Sequence, residues 1–480
     1  MKRRSILKML VLLVSLTALS MIIPLIIAVV MEERGMIRAF GISIGAVLVI
    51  ALPVLFVSRK QPVQFNTADG CLLVFLTWVA ACLQGALPFF FSGYVDRFAD
   101  AAFESISGFT TTGISVFIDL DILPRSLIFW RAETHWLGGM GMVVLTVAIL
   151  PLLGVGGFQL LKAESPGPDA ERITPKIAGT AKFLWISYMA LTGVQVLLLR
   201  LCGMSWFDAM VHAFSTLGTG GFSSRNESIA YYQSPAVEWV CTIFMLIGGY
   251  NYILIYRLLR GKFRDVLRNS ESRAYVFIIL ISVVIISAAL VPTGIPFLDA
   301  IRQAFFSMAS ILTTTGFSSV NINLWPPLAQ GVLFILMFIG GCSGSTAGGV
   351  KIIRYVVLWK QAGNELRRII YPKGVFTVRL DKKVGRKDVV YGVAGFVFLY
   401  FLLLGCTVLL VSASGLNLFS SVNVALITLG NIGQGLGLDN ASAIVYGFPS
   451  GLKWALSFIM IAGRLELWTA FVLFSRDYWR

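Results

Sequence analysis

The sequence predicts an all-α polytopic membrane protein, in which two N-terminal helices precede four pseudo-symmetric helix–pore-loop–helix repeats around a central pore. Three observations predict this fold. First, the 480-residue chain is 57% hydrophobic and only 13% charged, whereas soluble domains carry about 25% charged residues. Second, short Thr/Gly runs recur four times between apolar stretches. Third, basic residues concentrate in alternate connecting segments.

The apolar stretches account for the membrane helices. A helix needs roughly 20 mostly apolar residues to span a bilayer, and about ten stretches approach or exceed this length. They are 5–31, 37–57, 70–94, 126–156, 180–203, 237–256, 274–292, 328–350, 388–412 and 450–474. The first is too long for a removable signal peptide and lacks a small-residue cleavage site, so we expect a retained helix.

The positions of the basic residues predict the topology. Of the 39 Lys and Arg residues, 29 fall in segments that share one side of the membrane. Those segments are 1–9, 58–66, 157–182, 256–273, 351–389 and 474–480. This positive-inside bias predicts cytoplasmic termini, and it explains the net charge of +15 without a nucleic-acid partner. The richest segments, 256–273 and 351–389, also suit anionic membrane lipid or an acidic cytosolic partner.

The Thr/Gly runs mark four repeats. Their final glycines are 108, 95 and 117 residues apart, and a period near 100 residues indicates a duplicated supersecondary unit. The predicted divisions are a two-helix unit at 1–66, then repeats at 67–160, 161–266, 267–382 (with a gating loop at 340–350) and 383–480.

A short helix is predicted before each run. Asp100, Asp208 and Ser420 each lie thirteen residues before a final glycine, and their side chains suit the N-cap of a helix. A helix of about three turns cannot span a bilayer, so we expect re-entrant half-helices. Their partly negative C-terminal ends would point into the protein and favour a cation.

The four runs are the predicted selectivity filter. Glycine permits the dihedral angles that aim backbone carbonyls at an ion, and carbonyl rings coordinate potassium. None of the runs contains a charged residue, which favours a monovalent cation over a divalent one or an anion. One such run alone is equally compatible with an ordinary turn, but four in register argue for a filter. The residues are Thr110, Thr111, Thr112, Gly113; Gly218, Thr219, Gly220, Gly221; Thr313, Thr314, Thr315, Gly316; and Gly430, Asn431, Ile432, Gly433.

Two features are candidate gates. Residues 340–349 are all small and interrupt an apolar stretch; they predict either close helix packing or an unwound loop that obstructs the pore. The gate residues of this segment are Gly344, Ser345, Thr346, Ala347, Gly348, Gly349 and the following Lys351. Arg464 lies midway along the last apolar stretch. It is interpreted either as a fixed positive charge below the filter or as one partner of a structural ion pair.

Several motifs together resemble one family. They are the four Thr/Gly runs, the glycine-rich segments 136–141 and 340–349, and the sequence Gly463-Arg464-Leu465-Glu466. These residues resemble the Trk/Ktr/HKT superfamily of potassium uptake proteins, and the two extra N-terminal helices are most similar to the bacterial TrkH/TrkG branch. The resemblance implies a potassium filter with a glycine in each repeat, an intramembrane gating loop and a pore arginine. It also implies a location in the bacterial inner membrane.

The same resemblance implies partners that the residues themselves do not reveal. It predicts a homodimer and a separate cytosolic nucleotide-binding regulatory subunit similar to TrkA. This chain has no GxGxxG or Walker sequence of its own. Two histidines and six dispersed cysteines predict no metal cofactor, so potassium is the only expected bound ion.

Two other functions were weighed against a gated pore. A secondary carrier coupling K⁺ or Na⁺ movement to H⁺ or Na⁺ would place acidic residues inside several helices, and the predicted helix interiors contain essentially Glu466 alone. An intramembrane enzyme would need a facing pair of aspartates or an HExxH motif, and neither is found. Potassium uptake without enzymatic activity is the favoured prediction, and the carrier is the alternative.

Overall fold

The computed structural model describes residues 2–58, 67–141, 177–380, 383–384, 387–437 and 441–479. Most of these residues are helical. The two short strands among them, β1 (Arg379–Leu380) and β2 (Lys383–Val384), pair antiparallel. The all-α prediction is therefore confirmed, although the predicted continuation of the stretch 126–156 beyond residue 141 lies outside the described residues.

The N-terminal unit consists of two membrane spans. Helices α1 (Lys2–Ser20) and α2 (Ile22–Val30) form one span, and α3 (Arg34–Val57) forms the next. The loop between them holds the first repeat, because the Glu33 carboxylate accepts a hydrogen bond from the backbone N–H of Arg125 at 2.8 Å. That contact satisfies one of the unpaired N–H groups at the start of a helix.

Each repeat contains a long helix, a half-helix and a second helix. Repeat one has α4 (Thr67–Phe91), α5 (Phe98–Phe109) and α6 (Arg125–Trp136). Repeat two has α7 (Ile177–Leu201), α8 (Trp206–Leu217) and α9 (Pro235–Gly248), followed by α10 (Tyr252–Leu259) and α11 (Phe263–Arg268). Repeat three has α12 (Ser270–Leu290), α13 (Phe297–Leu312) and α14 (Pro327–Leu336), followed by α15 (Ile352–Ile370). Repeat four has α16 (Lys387–Ser412), α17 (Leu418–Gly430), α18 (Ala441–Tyr446) and α19 (Ser450–Arg464), followed by α20 (Trp468–Phe471).

The second helices are broken, whereas the sequence indicated an interruption only in repeat three, at 340–349. Within the described ranges six helices are long and apolar enough to span a membrane, and the pairs α9–α10 and α19–α20 are bent by 103° and 116°. Helix α6 passes into a π-helical segment, Leu137–Gly141. Glycines contribute to these breaks. A Cβ on Gly138 would collide with the carbonyl oxygen of Phe109, and a Cβ on Gly463 would collide with that of Leu429; both carbonyls lie at the end of a half-helix. The breaks therefore lie where second helices and half-helices touch.

Three half-helices have the predicted length of about three turns, whereas α13 is longer, with 16 residues, and the caps differ from the predicted ones. Helices α5, α8 and α17 have 12, 12 and 13 residues, and Asp100, Asp208 and Ser420 lie in their first turns. The N-caps lie three residues earlier. In α8 the Ser205 hydroxyl accepts from the Asp208 N–H at 3.0 Å, and in α17 the Asn417 side chain accepts from the Ser420 N–H at 2.8 Å.

Ion pairs join neighbouring repeats. Lys453 on α19 contacts Asp100 on α5 at 2.5 Å, with side chains only 1% and 6% exposed. The equivalent joint between repeats two and three pairs Glu238 on α9 with Arg302 on α13 at 3.0 Å. In both joints a second helix is connected to the half-helix of the next repeat, so these pairs help to close the repeats into a ring.

Replacing Lys453 by Met should destabilise the protein strongly, because Asp100 would keep a buried carboxylate without its cation. We expect the free energy of unfolding to fall by about 3–5 kcal/mol, measured as a lower midpoint of thermal unfolding in detergent. Lys373→Met, at an exposed lysine, is the control and should change little. The double variant Lys453→Met/Asp100→Asn should recover part of the loss. If the double variant lost as much unfolding free energy as the two single variants together, the result would contradict this role.

Candidate functional site

The four Thr/Gly runs adopt one backbone conformation. Thr111, Thr219, Thr314 and Asn431 have φ between 53° and 57°, and the final glycines Gly113, Gly221, Gly316 and Gly433 have φ between 80° and 83°. In each loop the residue before the glycine donates its N–H to the carbonyl five residues back, at 2.9 to 3.1 Å. This 6→1 hydrogen bond closes a helix C-terminus with a left-handed residue. The loops are therefore equivalent, including the fourth, whose sequence is the least regular.

The four loops form a closed ring. A Cβ placed on any final glycine would lie 2.7 Å or less from the carbonyl oxygen of the residue before the next glycine around the ring. The successive contacts are Gly113 with Gly220, Gly221 with Thr315, Gly316 with Ile432, and Gly433 with Thr112. No L-residue with a side chain fits such an approach at this φ. Backbone therefore touches backbone around the whole ring.

Threonine side chains stabilise the loops through hydrogen bonds. Thr110 and Thr112 share a hydroxyl hydrogen bond of 2.8 Å, and Thr313 and Thr315 do the same. In the fourth repeat Asn431 joins this network by donating to the Thr112 hydroxyl at 2.8 Å. Asn tolerates the left-handed conformation that this position requires.

A buried ion pair supports the first two loops. The Glu104 carboxylate, fully buried, contacts the Arg131 guanidinium at 2.7 Å and accepts from the backbone N–H of Val116 at 2.9 Å. Arg131 also lies over the ring of Phe222, at 4.1 Å from its centroid. Glu104 is therefore a buried hydrogen-bonding support. Arg131 was not among the predicted site residues, although an arginine inside a predicted membrane helix is a recognisable signal.

His135 belongs to the same support. Glu133 and His135 both lie in the last turn of α6. The imidazole of His135 stacks on Phe222 with ring centroids 4.0 Å apart. It therefore packs against the second loop.

The segment 340–349 is not helical and lies against the ring. The Gly348 N–H donates to the Thr314 hydroxyl at 2.8 Å. The Thr346 hydroxyl donates to the carbonyls of Leu217 and Gly248, at 2.9 and 3.0 Å. A Cβ on Gly348 would collide with the Gly430 carbonyl. The segment thus contacts the loops or half-helices of repeats two, three and four.

Both ends of this segment are anchored. The Glu271 carboxylate on α12 accepts from the Ser343 N–H at 2.6 Å and from its hydroxyl at 2.9 Å. At the other end the Lys351 ammonium folds back to the Ala347 carbonyl at 2.8 Å. Of the remaining predicted gate residues, Gly344 accepts from the Tyr252 N–H, and Gly349, with φ of 75°, lies against Gly340. Ser345 donates to the Cys342 carbonyl at 2.6 Å.

Arg464 connects this segment to the first repeat. Its guanidinium donates to the Thr346 carbonyl at 2.7 Å, and to the carbonyls of Gly138 and Gly139 at 2.7 and 2.9 Å. It is the last residue of α19 and not the middle of a continuous helix. The neighbouring Glu466 instead pairs with Arg354 on α15. The structure therefore brings Arg464 and the segment 340–349 together beneath the ring.

The fold and this site define a polytopic membrane protein with four re-entrant repeats around one axis. Comparisons with known proteins agree: the TrkH family model, described as a cation transport protein, matches residues 38–479. The chain belongs to the TrkH family, a family of transporters and not of enzymes.

Individual relatives cover the whole chain. It is 40% identical to the Trk system potassium uptake protein TrkH of Escherichia coli K12, over 99% of both chains. It is 33% identical to the Trk system potassium uptake protein TrkG of the same organism, over 98% of this chain and 97% of the relative. The crystal structure of the potassium transporter TrkH from Vibrio parahaemolyticus superposes with a TM-score of 0.88 at 34% identity, covering 100% of both chains.

Thr314→Val should loosen the segment 340–349 because it removes the acceptor of the Gly348 N–H. A hydrogen bond worth about 1 kcal/mol corresponds to roughly fivefold faster amide exchange in residues 343–349, measured by hydrogen–deuterium exchange. Thr111→Val is the matched control. It lies at the equivalent position of repeat one, and its hydroxyl has no hydrogen-bond partner among the described residues. Equal exchange in the two variants would contradict the contact's role.

Proposed function

We propose that this protein takes up potassium across the bacterial inner membrane through the ring of four loops. The observation that supports this most is the closure of the ring by backbone alone, with a left-handed glycine in every repeat. Carbonyl oxygens can replace the hydration shell of K⁺. The names of the relatives, which are potassium uptake proteins, favour the same ion.

Electrostatics of the ring suit a monovalent cation. The half-helices α5, α8, α13 and α17 all end at the ring, so their partly negative C-termini face it. The sixteen loop residues predicted from the sequence carry no formal charge, so an ion there would be balanced by dipoles rather than by a carboxylate. We propose that these residues are the filter and that potassium is the cargo they bind.

We further propose that Arg464 and the segment 340–349 form the gate. The guanidinium places a positive charge beneath the ring, which opposes the passage of a cation. Its three carbonyl contacts and the Gly348–Thr314 hydrogen bond hold the segment against the ring. Opening requires these contacts to break together, so an event that moves α15 or α19 can open the pathway.

The proposal includes topology and partners. The positive-inside bias supports cytoplasmic termini. The relatives are named as parts of a Trk system, which supports a cytosolic TrkA-like nucleotide-binding subunit acting on a homodimer of this chain. The basic segments 256–273 and 351–389 are the proposed surface for that subunit.

Gly113→Ser should lower the discrimination between K⁺ and Na⁺. A serine Cβ would displace the Gly220 carbonyl from the ring, and a deformed ring fits K⁺ less well. Uptake of ⁸⁶Rb⁺ and ²²Na⁺ into proteoliposomes measures the ratio, which we expect to fall about tenfold, or by ~1.4 kcal/mol. Gly93→Ser is the control, because Gly93 has a similar φ of 78° but open space around it. An unchanged ratio in Gly113→Ser would count against the filter assignment.

Arg464→Ala should raise cation flux. The substitution removes both the positive charge and the contacts that hold the segment 340–349. Flux is measured as ⁸⁶Rb⁺ uptake into proteoliposomes, with and without H⁺ or Na⁺ gradients; dependence on a gradient would favour the carrier alternative. Arg200→Ala, which removes an arginine–carbonyl contact at the end of α7, should leave flux unchanged. Wild-type flux in Arg464→Ala would exclude the barrier role.

A further inference from the structure

A groove lies between α12 and α15, outside the ring. It encloses about 780 Å³, and most of its wall is apolar. Its lining includes Ser270, Arg273, Phe277, Ile278, Trp359 and Lys360. Phe277 and Trp359 are 64% and 82% exposed, which is costly in water and favourable beside hydrocarbon.

The two basic residues of the groove lie at one end of it. Arg273 is in the first turn of α12, and Lys360 donates to the Ser270 hydroxyl at 3.1 Å, at the start of the same helix. Phe277 and Ile278 follow one to two turns further along α12, or roughly 6–8 Å deeper at 1.5 Å per residue. The groove therefore combines a cationic mouth with an apolar floor that continues along a membrane-spanning helix.

We propose that this groove binds an anionic phospholipid. Its phosphate would lie between Arg273 and Lys360, and an acyl chain would lie along Phe277 and Trp359. Charge complementarity selects this occupant over a second copy of the chain. A symmetric self-interface brings the same patch from both copies together, and it would place like charges opposite each other.

A lipid in this groove would act on the segment 340–349. Glu271, next to Ser270, holds Ser343 through two hydrogen bonds. Helix α15 begins at Ile352, whose N–H donates to the Gly341 carbonyl at 2.9 Å. The two walls of the groove thus both contact the N-terminal part of the segment, at Gly341 and Ser343. A lipid that fixes the distance between α12 and α15 would stabilise the segment in its present position.

Native mass spectrometry of the full-length protein in detergent tests the binding. We expect dioleoyl-phosphatidylglycerol to bind about tenfold more tightly than dioleoyl-phosphatidylcholine. Arg273→Glu should abolish this preference. Arg264→Glu, which makes the same charge change on α11 outside the groove, should keep it. Equal effects of the two substitutions, or no preference in the wild type, would overturn the proposal.

Two further measurements decide between occupants and test the coupling. If a second copy covers the groove, Arg273→Glu will shift the monomer–dimer distribution in the same spectra without changing lipid preference, which would also overturn the proposal. Phosphatidylglycerol should slow hydrogen exchange in residues 343–349 relative to phosphatidylcholine, and Arg273→Glu should remove that difference. Persistence of the difference in Arg273→Glu would refute the coupling. None of these readouts depends on ion transport, so they fail independently of the proposed function.

Discussion

The close approach of backbone to backbone around the ring is the constraint on which the rest of the structure depends. Each final glycine lies where a Cβ would meet the carbonyl of the next repeat, so four loops can meet only if all four positions lack a side chain. Such loops are tolerated at membrane depth only when protein buries them. The surrounding helices, the threonine hydroxyl pairs and the Glu104–Arg131 pair provide that enclosure.

The segment 340–349 beneath the ring also depends on a close approach to its neighbours. It contains no large side chain, so its own N–H and hydroxyl groups can reach the half-helix carbonyls and Thr314. Its hydrogen-bond partners belong to several repeats. Arg464 connects it to the first repeat as well, because the same guanidinium donates to the carbonyls of Thr346 and Gly138. Because the contacts are individually modest and converge on one short segment, a displacement of one neighbouring helix is enough to weaken several of them.

The sequence was sufficient for the fold class and for the equivalence of the four runs, since hydrophobic length and recurring glycines are local signals. It did not predict the breaks near Gly138 and Gly463, because the carbonyls that these glycines approach are distant in sequence. For the same reason the partners of Asp100, Arg131 and Arg464 could not be known. A cap residue can be misplaced by one turn when two suitable side chains lie three residues apart, as Ser205 and Asp208 do.

The two ion pairs that connect a second helix to the half-helix of the next repeat have opposite polarity. At one joint the second helix contributes the cation, Lys453, and at the other it contributes the anion, Glu238. If the second and fourth repeats were exchanged, Lys453 would face Arg302 and Glu238 would face Asp100, so both joints would bury like charges. A circular permutation preserves every neighbour and both pairs. The second and fourth repeats are therefore not interchangeable, because these charges specify the order of the repeats around the ring.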